Sequence, residues 1–445
     1  MGCNGEAVTI GAGPYRDGSM VLTKEKGGAS EYFIPYLEAE ASRWRATGKE
    51  MGSLNRLSER IEQIYSQMVE WRRMFHMEPE LSFQEERTPA RVVEILRGFD
   101  IDVRTGVGGR GVVGTLTGGR PGKTVALRAD MDALPIQDEK TCTYRSRVPG
   151  VMHACGHDGH MAVLLGVARL LSEMREEIPG QVRFLFQHAE EVIPGGAREM
   201  IQDGALDGVD AVYGVHLWTP LPVGVVGIKG GPLMAAADSF QIEIFGKGGH
   251  GGLPHEAVDA IVVASHLIVH LQTLISRQVD PLKSGVISVG TIQGGQGFNV
   301  IAERCTLTGT VRTFDPVLRG QLHERIREIA EKTCALYGAT CRVTYQWGYP
   351  ALVNDTVEAH RVASVARRIV GDDRVWELQP VMAAEDFAYY LGKVPGAFCF
   401  VGAGNREGDR DFPHHHPRFD FDENAMKFAA ELLASTALTY LKDEA

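Results

Sequence analysis

The stretch Lys123-Thr-Val-Ala-Leu-Arg-Ala-Asp130-Met-Asp132 is a short apolar run that ends in two carboxylates. Its length and aliphatic content predict a buried strand over Lys123–Ala129. The pattern recurs twice: Gln181–Gln187 is followed by His188, Glu190 and Glu191, and Asp210–Val215 by His216. Between the first two, Met161–Met174 has the length and composition of a helix. Strands alternating with helices predict an α/β fold with a mostly parallel central sheet. In such sheets ligands bind beyond the carboxyl ends of the strands, so acids and imidazoles at three strand ends point to one site.

The stretch His153-Ala-Cys155-Gly-His157-Asp158-Gly-His160 sits just before the predicted helix and carries a thiol, three imidazoles and a carboxylate. Such groups cost free energy to bury unless they are paired or coordinated, which predicts a metal site. Pro413-His414-His415-His416-Pro417 supplies more imidazoles. Neighbouring side chains project in different directions, so Glu190 and Glu191 can divide two tasks: one binds metal while the other takes a proton from an activated water. Cys155 acting as a nucleophile with His157 as its base is the rival reading, but the surplus of carboxylates and imidazoles fits coordination better. Gly106-Val-Gly108-Gly109-Arg-Gly111 matches a dinucleotide fingerprint by letter, yet strand-like residues follow it instead of a helix, and a hairpin is predicted. His266, His270 and His360 read as helix-face residues, and Cys142, Cys305, Cys334, Cys341 and Cys399 as small packing residues.

The chain has 445 residues, 44% of them hydrophobic and 23% charged, with a net charge of -11. These values describe an ordinary globular protein of two or three domains and argue against a nucleic-acid partner. No apolar run is expected to reach membrane-spanning length; the nearest, Ala260 to Ile275, contains His266, His270 and Gln272. The N-terminus lacks a basic start and apolar core, and seven irregularly spaced cysteines do not form a disulfide framework, so a reducing cytoplasm is the expected setting.

Residues 1–50 read as an N-terminal extension, disordered or loosely attached, or as sequence upstream of a true start at Met51. An amphipathic helix is predicted from Met51 to Arg73. Residues 51–234 and 349–445 read as two parts of one catalytic domain, the latter ending in a helix over Glu423–Leu441. Residues 235–348 have another rhythm. Strands are predicted at Ser239–Phe245, Gly285–Ile292, Glu303–Phe314 and Thr340–Trp347, and helices at His255–Gln278 and Pro316–Tyr337. This β-α-β-β-α-β order is that of a split βαβ unit inserted into the first domain.

The chain resembles the amidohydrolase branch of the metallo-aminoacylase and carboxypeptidase superfamily (peptidase family M20), which includes hippurate hydrolases, N-acyl-amino-acid deacylases and auxin-conjugate hydrolases. The resemblance covers roughly residues 55 to 440. It rests on Leu127-Arg-Ala-Asp130-Met-Asp132-Ala-Leu-Pro, the block from His153 to His160, Ala189-Glu190-Glu191 and Gly214-Val-His216-Leu. Gly246-Lys-Gly-Gly-His250, Phe298-Asn299-Val-Ile, Gly309-Thr-Val-Arg312-Thr, Ala384-Glu385-Asp386-Phe387 and His415-His-Pro-Arg-Phe extend it.

The resemblance implies a two-metal peptidase-like catalytic domain with an inserted ferredoxin-like lid that also mediates dimerisation, giving a homodimer or a tetramer. It implies Cys155, His157, Glu191, His216 and His415 as ligands of two divalent ions, manganese first, then zinc, cobalt or nickel. Glu190 would be the general base, Asp132 an orienting acid and His250 a catalytic group stabilising the developing oxyanion, with His250, Asn299 and Arg312 facing the substrate. The implied activity is hydrolysis of an N-acyl amino acid, with no nucleic acid or membrane partner. The alternatives are a dipeptidase or carboxypeptidase using the same site, or a catalytically silent metal-binding scaffold. Two positions depart from the family pattern: His188 and Ala302 stand where proline is usual. His188 is expected either to add a donor near the site or to be a benign loop substitution.

Overall fold

The computed structural model describes residues 48–404 and 412–443, with side chains from Leu57 onward; most of the expected N-terminal extension lies outside the described residues. In chain order the elements begin with α1 (Gly48–Met77), α2 (Arg87–Arg97), β1 (Asp102–Val107), β2 (Gly111–Thr117), β3 (Arg120–Asp130), α3 (His157–Ser172), β4 (Pro179–Gln187) and α4 (Gly196–Gln202). There follow β5 (Ala211–Pro222), β6 (Val226–Ile228), β7 (Gly231–Met234), β8 (Ala236–Phe245), β9 (Gly249–His250), α5 (Ala260–Gln278), β10 (Gly285–Gly294), β11 (Val300–Ile301), β12 (Arg304–Thr313) and α6 (Pro316–Leu336). The last are β13 (Thr340–Gln346), β14 (Leu352–Asn354), α7 (Thr356–Val370), β15 (Val375–Glu377), α8 (Ala388–Leu391), β16 (Gly396–Gly404) and α9 (Ala425–Asp443).

Eight strands form one sheet in the order β1-β2-β4-β3-β5-β16-β6-β15. Its centre is parallel, through the pairs β4/β3, β3/β5 and β5/β16. Because side chains alternate across a strand, each central strand feeds two cores. Val125, Leu127 and Ala129 of β3 pack with α1, α3 and α9, as do Phe184 and Phe186 of β4. Ala126 and Leu185 face the other way, with Met200, Phe387 and Phe398. Arg128 has the same parity as Ala126, so a guanidinium is buried within an apolar strand.

The hairpin expected at Gly106–Gly111 is present: β1 and β2 pair antiparallel, with Gly109 N donating to Gly106 O at 3.0 Å. Two boundaries differ from expectation. The α3 helix starts at His157, four residues before the predicted start, so Asp158 and His160 lie in its first turn. Strand β5 runs through His216 to Pro222 instead of ending before it.

A second, four-stranded antiparallel sheet has the order β10-β12-β8-β13, with α5 and α6 against one face. Its core holds Phe240, Ile242 and Ile244 with Leu267, Leu271, Leu322 and Ile326. The helix expected from His255 begins at Ala260, because Asp259 caps it there by accepting from the amides of Ile261 and Val262. At 19 residues α5 is long and apolar enough to cross a membrane, which corrects the expectation that no run reaches that length. One face of it, with Val263, Leu267, Leu271 and Leu274, is buried against the small sheet, while Ile261, Val262 and Val269 are exposed.

The α1, α3 and C-terminal segments are tied by a buried ion cluster. Arg72 is fully buried and donates to Asp158 (2.9 Å), Asp420 (2.6 Å) and Glu423 (3.2 Å), while His76 Nδ1 lies 2.7 Å from Asp158. Burial opposes ionisation of Asp158, but Arg72 and His76 outweigh it and hold the carboxyl below its usual range. This cluster anchors the first turn of α3, and with it His157.

Candidate metal centre

The donors lie at the carboxyl end of β3, β4 and β5, as parallel-sheet topology requires. Cys155 arrives on the loop before α3, His157 on its first turn, Glu190 and Glu191 just after β4, and His216 within β5. His415 comes from the C-terminal loop, fixed by its amide donating to Ala154 O at 2.8 Å. Its φ of 67° is a left-handed conformation that side chains rarely adopt.

Two imidazoles are oriented by their inner nitrogens, which frees the outer ones. His157 Nδ1 donates to Asp132 O at 2.8 Å and lies 3.3 Å from Asp132 Oδ1. His216 Nδ1 donates to Leu217 O at 2.9 Å. Such inner hydrogen bonds fix the tautomer and aim Nε2 outward, as they do for metal-binding histidines. His216 Nε2 then lies 3.5 Å from Cys155 Sγ. His157 Nε2 lies 3.8 Å from Glu191 Oε1, which in turn lies 3.4 Å from His415 Nε2. Candidate ligand atoms of Cys155, His157 and His216 fall within 4.8 Å of one another, as do those of Cys155, Glu191 and His415.

His157 Nε2 and Glu191 Oε1 are buried without a hydrogen-bond partner. Buried polar atoms rarely stay unpaired, and a soft thiolate with imidazoles and carboxylate is a donor set for first-row divalent ions. The residues fit a pair of divalent cations.

The electrostatics agree. Burial, then Glu191 and Glu190, push the Cys155 thiol well up. Burial, then His160 and His414, push His216 well down, leaving a neutral imidazole. Burial opposes a charge on His157, but Asp130, Asp132 and Glu191 outweigh it and raise the imidazole to about 10. A proton and a cation compete for such a site, so binding metal releases protons.

Glu190 is 6% exposed, and burial, then Glu385, Glu191 and Asp386, raise its carboxyl well above the usual range. Its carboxylate forms one group with ligand atoms of His157 and Glu191, and another with those of Glu385 and Asp386, each within 4.8 Å. Asp132 is held by Ser82 Oγ (2.6 Å) and Glu191 N (3.0 Å), so it braces both His157 and the Glu191 backbone.

Several neighbours take other roles. His160 donates from Nδ1 to Asp130 (2.7 Å) and accepts Leu217 N at Nε2 (2.9 Å), so both nitrogens are used in joining β3 to β5. His414 Nε2 lies 3.1 Å from Leu217 O, and its ring stacks on Trp218. His416 accepts from Arg418 N. His188 does not join the donors: its Nε2 lies 3.4 Å from Glu199, and its ring meets Phe83 edge-on.

The three residues expected to face the substrate lie elsewhere. His250 is exposed on β9, paired with Val300, and Asn299 is exposed just before β11. Arg312 is half-buried on β12 and donates to Thr310 Oγ1 and Val311 O. Among the described residues none of the three has a hydrogen bond or ion pair with the donor cluster.

Arg128 has no role that its sequence motif implies, yet it is buried among acids. It donates from Nε to Gln187 (2.9 Å), from Nη1 to Asp130 (2.6 Å) and from Nη2 to Asp386 (2.9 Å), with Glu385 3.1 Å away. It lies beneath the acid cluster that includes Glu190. A charged residue inside an apolar strand was the available signal.

Residues 126–439 match peptidase family M20/M25/M40. An N-acyl-L-amino acid amidohydrolase of Geobacillus stearothermophilus is 47% identical over 66% of this chain and 80% of its own length. Thermostable carboxypeptidase 2 of Saccharolobus solfataricus is 40% identical over 88% of this chain and 99% of its own. The crystal structure of the Bacillus subtilis YXEP protein, a dinuclear metal binding peptidase of the M20 family, is similar at a TM-score of 0.75 and 35% identity, covering 86% of this chain and 99% of that one. With a parallel sheet carrying these donors at its carboxyl end and a match over most of its length, the chain belongs to peptidase family M20/M25/M40.

Proposed function

We propose that the protein is a metal-dependent amidohydrolase that cleaves the amide bond of N-acyl amino acids. The observation that carries this reading is the arrangement of Glu190 beside the ligand set. Its carboxylate is within reach of His157 and Glu191, and the acids on which it also borders, Glu385 and Asp386, are paired with Arg128. In the proposal Cys155, His157, Glu191, His216 and His415 hold two divalent cations, manganese first. When bound, such a pair polarises a carbonyl and makes water acidic enough to deprotonate near neutral pH.

The chain's own residues do the rest. Glu190 accepts a proton as water attacks the amide carbon, then passes it to the departing nitrogen. The C–O bond forms, the C–N bond breaks, and a carboxylate and a free amine leave. Asp132 keeps His157 in the tautomer that presents Nε2. His250 and Asn299, on and beside the two-stranded β9/β11 pair, are the polar groups that would meet the substrate, which requires that pair to approach the site.

The relatives named for amidohydrolase and for carboxypeptidase activity both lend support, so the assay must separate these readings. N-acetyl and N-benzoyl amino acids and dipeptides are offered to protein loaded with manganese, cobalt or zinc. Faster turnover of the acyl amino acids is expected. Hydrolysis confined to dipeptides would select the peptidase, and no hydrolysis at all by metal-loaded protein would select a silent scaffold.

A further inference from the structure

The segment Ala189-Glu190-Glu191 is held by its backbone, and three of the holds come from far away in the chain. Ala189 has φ 51°, a left-handed conformation that costs a non-glycine residue free energy and persists only when neighbours over-determine it. Ala189 N donates to Glu85 Oε1 at 2.9 Å, Gly196 N donates to Ala189 O at 3.1 Å, and Glu191 N donates to Asp132 Oδ2 at 3.0 Å. The carbonyl of Glu190 itself accepts from the phenol of Tyr349 at 2.5 Å.

Tyr349 is 6% exposed and stands where the chain returns from the small sheet to the large one. The two crossing segments are clamped there. Ala237 N donates to Tyr349 O at 3.1 Å. Asp238 Oδ1 accepts from Gly348 N at 2.9 Å, and Arg319 Nη2 bridges Asp238 Oδ1 (2.5 Å) and Gly348 O (2.9 Å). The strands approach so closely that a Cβ on Gly348 would sit 2.0 Å from Ala237 O. Burial, then Asp386 and Glu190, hold the Tyr349 phenol well above its ordinary value, so it remains a neutral donor.

We infer that Tyr349 is a positioning residue for Glu190, and that through the Asp238–Arg319–Gly348 clamp it makes the placement of that carboxylate depend on how the small sheet is seated. The inference rests on the amidohydrolase reading, in which Glu190 moves the proton. Removing the phenol leaves the ring packed but frees the Glu190 carbonyl, and the carboxylate then samples positions from which transfer is slow. Substrate and ligands keep their contacts, so the loss belongs to kcat and not to KM.

The test compares Tyr349→Phe, Arg319→Lys and the double variant, all metal-loaded, on the best acyl amino acid found. Tyr349→Phe is expected to lose roughly 10- to 100-fold in kcat, with KM and metal content unchanged. Arg319→Lys should lose less, and the double variant should be no slower than Tyr349→Phe, because the clamp acts through the phenol. A kcat for Tyr349→Phe equal to that of the parent, a loss carried by KM, or fully additive losses would overturn the inference. Amide hydrogen exchange gives an answer even if no substrate is cleaved, an outcome that would instead remove the amidohydrolase reading. Exchange across residues 189–191 should quicken in Tyr349→Phe, and unchanged exchange there contradicts the hold on Glu190.

Discussion

Glu190→Gln is expected to lower kcat for acyl amino acid hydrolysis by roughly 10²- to 10⁴-fold, the range for loss of a general base, while metal content stays at the parent level. The substitution keeps shape and volume but removes the site that accepts the proton. It also takes one carboxyl out of a buried group that contains Glu385, Glu191 and Asp386, whose mutual repulsion disfavours charge. Folding therefore gains or is unaffected while activity falls, so the loss of activity is not accompanied by a loss of stability. Kinetics, thermal unfolding and elemental analysis on one preparation check this. Loss of bound metal in the variant would make Glu190 a ligand and defeat its assignment as base.

Arg128→Met should destabilise the fold by about 3–5 kcal/mol, the usual cost of breaking a buried ion pair by removing one partner. Arg128 is buried with Asp130, Asp386 and Glu385 around it. Burial opposes its charge, but these acids outweigh burial and hold it well above its ordinary value. The pH dependence has a definite sign. Burial raises the carboxyls of Asp386 and Glu385, and Arg128 is the main opposing influence on both. An acid whose folded-state pKa lies above its unfolded value of about 4 destabilises the fold progressively as pH rises above that value. Without Arg128 both shifts grow, so the deficit of the variant should widen over the range above the unfolded value of about 4 as pH rises. Denaturant midpoints across that range measure it; a gap that is flat, or that narrows as pH rises, contradicts the network.

Much of this architecture is local, and local patterns are legible. The strands that carry the site announce themselves as apolar runs ending in acids or imidazoles, and the β-α-β-β-α-β rhythm marks the small sheet. Glu190, Glu191 and His216 follow such runs, Cys155 and His157 lie at the start of the helix between the first two, and the structure brings all of them together with His415. The pairings without a local signature are long-range. Arg128 meets Asp386, 258 residues away in sequence, and Tyr349 meets Glu190, 159 residues away; no periodicity encodes those pairings. Which of His414, His415 and His416 reaches Glu191 likewise follows from the backbone: His415 is in a left-handed turn with its ring near Glu191, while His414 stacks on Trp218. His188, adjacent in sequence to the site, points to Glu199, because consecutive residues after a strand end project to different sides.

The central claim is that two divalent cations sit among five named side chains beside Glu190. Anomalous diffraction from crystals grown with manganese tests it most directly. Two peaks are expected, each in contact with members of the set Cys155, His157, Glu191, His216 and His415, with the Glu190 carboxylate adjacent to the pair and bound to neither. Peaks elsewhere, or a single peak ligated by Glu190, would contradict the account.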